Sequence, residues 1–216
     1  MSWRNLGINT LMPVFNKHKI TFLHIGKTGG FSVEKALGLP PKDYRVFDKE
    51  YVYGLNKGVM TQHARLPYIQ SHMTDIQKTY KVFTVIRNPW YRMVSAFYYL
   101  YHGHMKKFGS FDDWLIHKHN MVTKNKYREG SHYTPQIEFT HVDGEQVTDY
   151  ILRTEHLSRD WEHFCFQTNI KCDDLPKTNV SNLRKKPYLD HYNDNTRDMV
   201  HEMYTEEIQQ FDYKYE

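Results

Sequence analysis

ITFLHIGKTGGFSVEKALG, residues 20–38, sets an apolar run directly before Gly26-Lys27-Thr28 and the pair Gly29-Gly30. KITFLHI (19–25) reads as a buried strand because it is short, apolar and β-branched. FSVEKAL (31–37) reads as a short helix, stopped by Gly38 and Pro40-Pro41. A strand, a glycine turn and a helix in that order form an anion cradle. Gly26, Gly29 and Gly30 let backbone N–H groups approach closely, and the helix presents its positive end. Lys27 adds a mobile charge, and Thr28 and Ser32 add hydroxyl donors. The Walker pattern, G-x-x-x-x-G-K-S/T, would require glycine at position 21, where Thr21 stands.

Further along, the same alternation repeats. YKVFTVI (80–86) is a second buried strand running into Asn88-Pro89, an N-cap followed by proline at the first helical position, and WYRMVSAFYYLYH (90–102) continues as a helix. SFDDWLIHKH (110–119) opens on Ser110 with Asp113 three residues on, a capping-box pattern. VTDYILR (147–153) reads as a third central strand, Ser158 as the cap of RDWEHFCF, and NTRDMVHEMYTEEIQQF (195–211) as an amphipathic terminal helix. Strands alternating with helices predict an α/β domain spanning residues 1–216, with a P-loop-like parallel sheet flanked by helices on both faces.

Bulk properties fit a folded globular chain, with 39% hydrophobic and 25% charged residues and no low-complexity tract. No stretch approaches the roughly 18 apolar residues of a membrane span, and the N-terminus lacks a signal-peptide pattern. As given, the chain reads as cytoplasmic, although loss of a Golgi-type anchor would leave the same sequence. Cys165 and Cys172 lack the second pair that a four-ligand metal site needs and read as reduced thiols; no metal is expected. A net charge of +4 suits an anionic ligand but is too small to imply nucleic-acid binding. The 17 tyrosines would mostly be core, yet a surplus of rings and hydroxyls also suits a sugar cleft.

In open parallel sheets ligands lie beyond the carboxyl ends of the strands. The second turn there is VIRNPWYRMVSAFYY, with Arg87 at the strand end, where its fork can grip a phosphate, and Ser95 just over two helical turns later. Pairing of Arg87 and Arg92 with surface carboxylates is the competing reading. Together, FLHIGKTGGFS and VIRNPWYRMVSAFYY resemble the 5′-phosphosulfate and 3′-phosphate motifs of sulfotransferases that use 3′-phosphoadenosine 5′-phosphosulfate (PAPS), most like the carbohydrate O-sulfotransferases of heparan and chondroitin type. HYTPQ (132–136) resembles the family's aromatic-Pro-Gln segment, LRTEHLSRDWEHF (152–164) its R-x-E-x-L-x-x-D segment, and TNVSNLRKKPYLDHY (178–192) its N-x-S segment. Two departures are Gly26, where the family commonly has proline or glutamine, and Phe31, where a hydroxyl residue is usual.

The resemblance implies PAPS as donor, with residues 26–32, Arg87, Ser95, Asn179, Ser181 and Arg184 around it. It implies 3′-phosphoadenosine 5′-phosphate (PAP) as product and a hydroxyl acceptor, expected to be carbohydrate, near Tyr133 and Gln136. Lys27 would stabilise the oxygen bridging sulfur and phosphorus as charge develops there. A sulfuryl group carries less charge than a terminal phosphoryl, so no magnesium need be recruited, and DYILRTE offers no Walker-B-like aspartate. His63, in MTQHARLPYI, matches the position of the family's catalytic histidine and is the expected general base; Glu34 is the carboxylate alternative. His24 reads as a packed strand histidine and His72 as surface. A P-loop nucleotide kinase and a non-catalytic nucleotide- or glycan-binding module on the same fold are the other readings.

Overall fold

The computed structural model describes residues 14–38, 55–56, 59–171, 173–176 and 186–216. In chain order the first strands are β1 (Val14–Phe15) and β2 (Ile20–Leu23), followed by α1 (Gly30–Ala36), β3 (Leu55–Asn56), β4 (Val59–Met60) and α2 (Leu66–Gln70). Then come β5 (Lys81–Ile86), α3 (Pro89–Tyr99), α4 (Tyr101–Phe108), α5 (Phe111–Val122) and α6 (Ile137–Thr140). β6 (His141–Val142), β7 (Glu145–Gln146), β8 (Tyr150–Arg153), α7 (Leu157–Thr168), α8 (Asp194–Met203) and α9 (Thr205–Gln210) complete the described elements.

The main sheet runs β1-β2-β5-β8, with β2, β5 and β8 parallel and the short β1 antiparallel at the edge. Successive side chains on a strand point to opposite faces, and the register uses this directly. Phe22 pairs with Phe83, which pairs with Tyr150, so Phe22, Phe83 and Val85 share one face with Leu152. That face packs on α1 and α7 through Val33, Trp161 and Phe164, with the Phe83 and Phe164 rings 4.4 Å apart. The opposite face, with Leu23, Val82 and Ile86, packs on Leu66, Ile69, Ile137 and Phe211. A third core, built from Trp90, Phe97, Trp114, Val200 and Tyr204, joins α3, α5, α8 and α9 into a helical layer.

Several local expectations hold. Asn88 caps α3 by accepting from Trp90 N at 3.1 Å, with Pro89 at the first helical position. Ser110 Oγ accepts from Asp113 N at 3.0 Å, but the aspartate carboxylate takes the Ser110 hydroxyl rather than reaching its backbone; it is one methylene shorter than the glutamate of a full box. Gly38, at φ 90°, ends α1 in the left-handed region, which glycine enters freely; Pro40-Pro41 lie outside the described residues.

Four expectations are corrected. The third strand is not central: β8 stands at the edge of the described sheet and β5 occupies the middle. It also begins at Tyr150, because Val147 N is taken by Thr140 O at 2.8 Å in the turn from α6. Ser158 lies in the first turn of α7, whose N-cap is His156. The helix expected over 90–102 breaks at Leu100 and the terminal one at Tyr204, both outside helical backbone geometry. The terminal helix starts with an Asn193–Thr196 capping box.

Phe83 is fully buried and touches both β2 and α7 through its ring. Phe83→Ala is expected to cost about 3–5 kcal/mol, read as a shift of the chemical-denaturation midpoint with an unchanged slope.

Candidate active site

At the carboxyl end of β2 the chain leaves the ladder at His24 and Ile25 and turns through Gly26–Gly30 into α1. Lys27, at φ 71°, and Gly29, at φ 87°, are both in the left-handed region. A lysine there stores strain of roughly 1 kcal/mol, tolerable where surrounding bonds fix the loop. Those bonds are present. Thr28 is fully buried and its hydroxyl donates to Ile25 O at 2.8 Å, so it braces the loop instead of offering a donor to a ligand, as the sequence reading had it. Thr154 Oγ1, just beyond β8, lies 2.6 Å from Thr28 O and 2.9 Å from Ile86 O, bridging the ends of all three parallel strands. Ser32 N donates to Gly29 O at 3.0 Å, and the Phe31 ring carries Lys35 Nζ at 4.8 Å.

Arg87, at the end of β5, reaches the same loop. Its guanidinium donates to Lys27 O at 3.2 Å and to the Tyr188 hydroxyl at 2.7 Å, and lies 5.0 Å from that ring's centre. The backbone of Arg87 is clamped by Gln136, which accepts from its N–H and donates to its carbonyl, each at 2.8 Å. Lys27 Nζ sits 3.9 Å from the centre of the Tyr99 ring. Burial and the nearby Arg87 charge bring the Lys27 ammonium down to about 8. Among the described residues neither cation has a carboxylate partner. Ser95 stands three residues after Arg92 and four before Tyr99, on the side of α3 that carries both contacts to the first loop.

Three imidazoles adjoin the loop. His63 is buried, and its ring is edge-on to His24 and to His132, each at 4.6 Å. Its Nδ1 lies 2.7 Å from His24 O. A carbonyl can only accept, so Nδ1 carries the proton and Nε2 keeps the lone pair. Burial first, then the neighbouring His24 and His132, hold His63 well below the ordinary imidazole value. His132 is lowered to about 4 by burial and then Lys27. His24 Nδ1 lies 2.6 Å from Glu34 Oε1, and Gln62 Nε2 donates to both Glu34 oxygens at 3.1 Å. Glu34 is therefore buried and engaged by His24 and Gln62.

The structure brings together Lys27, Arg87, His63 and the glycine loop, with Ser95 on the adjoining helix face. One expectation is corrected. Gln136 is fully buried, with its amide divided between Arg87 and Glu207, and so positions Arg87 instead of meeting an acceptor. Tyr133 packs against Trp114 at 5.9 Å and under Lys118 Nζ at 4.2 Å, and burial pushes its hydroxyl up to about 12. Asn179, Ser181 and Arg184 lie outside the described residues.

Sequence reasoning missed His132, Thr154 and the role of Arg92. Thr154 follows the last parallel strand, so the rule that sites lie at carboxyl strand ends would have found it. His132 opens the very HYTPQ segment that was singled out. A Cβ on Gly26 would come within 2.7 Å of the His132 ring, so this glycine is what admits the imidazole beside Lys27.

No curated protein and no solved structure matches the chain. A family model described as the sulfotransferase family matches residues 12–214, a span holding both basic strand-end turns and all three loop histidines. With its parallel strands covered by helices and its paired basic turns, this chain belongs to the sulfotransferase family, whose chemistry is sulfuryl transfer.

Proposed function

We propose that this protein transfers a sulfuryl group from PAPS to an acceptor hydroxyl on a carbohydrate, with an imidazole base. The observation that carries the reading is the meeting of Lys27 and Arg87 at adjacent parallel strand ends without a carboxylate between them among the described residues. Two cations held this close, without a carboxylate between them among the described residues, favour a ligand with separated anionic groups. The donor set fits a phosphosulfate: Lys27 and the backbone of Gly29 and Gly30 for the 5′ end, Arg87 and Ser95 for the 3′-phosphate. Bound there, the donor would supply a sulfuryl group already activated by a phosphate leaving group.

Lys27 would neutralise charge growing on the oxygen between sulfur and phosphorus, an interaction stronger in the transition state than before it. His63 would take the hydroxyl proton at Nε2 as the acceptor oxygen bonds to sulfur and the bond from sulfur to the phosphate oxygen breaks, leaving the electron pair on phosphate. Burial keeps the ring neutral near neutral pH, so the Nε2 lone pair is unprotonated. Among the described residues no His, Cys, Asp or Glu cluster could hold a metal ion, and no helix is long and apolar enough to cross a membrane.

Calorimetry with PAP against ATP-magnesium tests the donor class, with binding of the former alone expected; preference for ATP-magnesium would favour a kinase. Arg87→Ala should weaken bisphosphate binding by about 1.5–3 kcal/mol, the loss of a charged hydrogen bond. His63→Ala should lower turnover by 10²–10⁴-fold while binding largely survives, and Lys27→Ala should lower turnover by a similar factor and weaken bisphosphate binding as well; full activity in both variants would remove them from the reaction.

A pH dependence follows from Lys27. The free protein holds this ammonium protonated below about 8, so bisphosphate affinity should fall as pH rises through that value. Binding above it should take up a proton, seen as a buffer-dependent heat. Lys27→Arg, charged throughout this range, should flatten the fall.

A further inference from the structure

Tyr99 ends α3 just before the break at Leu100, and both are exposed, at 54% and 57%, while Trp90 and Phe97 of the same helix are buried in the core. The Tyr99 ring is not merely surplus aromatic surface. Lys27 Nζ covers it at 3.9 Å and the His132 ring meets it edge-on at 5.6 Å, yet more than half of the residue is open. An exposed ring beside the proposed transfer lysine offers an apolar face next to a polar site, the pairing that a pyranose needs.

His132 completes this corner. Arg92 donates to its backbone oxygen at 2.9 Å, and Gly26 leaves room for its ring. The imidazole touches His63 on one side and Tyr99 on the other. His63 and His24 have ring nitrogens engaged by His24 O and by Glu34, whereas no hydrogen bond to a His132 ring nitrogen occurs among the described residues. As a neutral ring near neutral pH it has one donor and one acceptor to offer. Gln136, which the sequence directed toward an acceptor, is committed to the interior, and half-buried Tyr133 packs under Lys118.

We propose that Tyr99 and His132 form the acceptor subsite, the ring stacking on the C–H face of a sugar and the imidazole hydrogen-bonding its hydroxyl beside His63. This rests on the sulfuryl-transfer reading above. No covalent step is added: His132 orients the hydroxyl whose proton His63 removes.

The test measures transfer of ³⁵S from labelled PAPS to desulfated chondroitin, desulfated heparan and an N-acetyllactosamine oligosaccharide, alongside calorimetry with PAP. Tyr99→Ala and His132→Ala should each raise acceptor KM tenfold or more, with bisphosphate Kd changed less than threefold. Tyr99→Phe, which keeps the ring, should recover most of the acceptor affinity that Ala loses. A fall in kcat alone, with acceptor KM unmoved, would reduce Tyr99 to a seat for Lys27 and overturn the subsite. Bisphosphate binding by the wild type without transfer to any of the three glycans would overturn the sugar assignment. Failure of the wild type to bind the bisphosphate would instead count against the sulfuryl-transfer reading itself.

Discussion

The guanidinium of Arg92 is fully buried, and backbone carbonyls determine its place. Its Nε donates to Gly26 O at 3.1 Å, and one terminal nitrogen donates to His132 O and Thr134 O, each at 2.9 Å. Arg92 sits on α3, the helix that follows Arg87. One side chain thereby joins the first anion-facing loop, the second anion-facing turn and the segment that carries His132 and Gln136. Burying a cation costs several kcal/mol unless hydrogen bonds and opposite charge return it. Glu207 supplies part of that compensation at 4.0 Å, too long for a hydrogen bond but effective in a buried setting. Loss of Arg92 would leave the loop carbonyls without their donors, a larger penalty than the bonds were worth when made.

Behind this knot, polar groups are fixed in series. Glu207 accepts from the backbone and side-chain amides of Gln136, and Gln136 clamps both backbone groups of Arg87. Thr154 ties the first loop to the end of β5 from the other side. Such networks are valuable when their members are satisfied, because a low local dielectric strengthens each bond and penalises each gap. The result is that Lys27, held in a left-handed backbone conformation, can keep its side chain free of ion pairing among the described residues without the loop relaxing around it.

The strands and the anion loop were legible because they are local. Ile20–Leu23, the glycines and Lys81–Ile86 announce themselves by apolar runs, missing side chains and a capped proline helix. His63 could be placed on the Lys27 side by motif position, though the edge-on stacking of His24, His63 and His132 could not. What was not legible is long-range. Gln136 looked like a ligand contact because its polarity is visible and its burial is not; its partner Glu207 lies 71 residues away. Breaks at Leu100 and Tyr204 carry no proline or glycine signal at the broken residue, yet one leaves Tyr99 open and the other turns Tyr204 toward Tyr133 O. An edge strand and a central one differ only in what pairs beside them, which no seven-residue window contains.

The placement of charge explains why such a site can wait for an anion without collapsing. Buried carboxylates are present, but they lie behind the reacting surface: Glu34 on His24, and Glu207 near Arg92, with burial raising Glu207 to about 7. Neither is paired with Lys27 or Arg87. Had a carboxylate sat between those two cations, the proposed anionic donor would have to displace it, and displacing a buried ion pair costs a ligand more than filling an unbalanced site. Instead, burial and then the Arg87 charge hold the Lys27 ammonium low, and burial and then the Lys27 charge hold the His132 ring low. Both proposed roles of Lys27, in donor binding and in the transition state, depend on its having no carboxylate partner among the described residues.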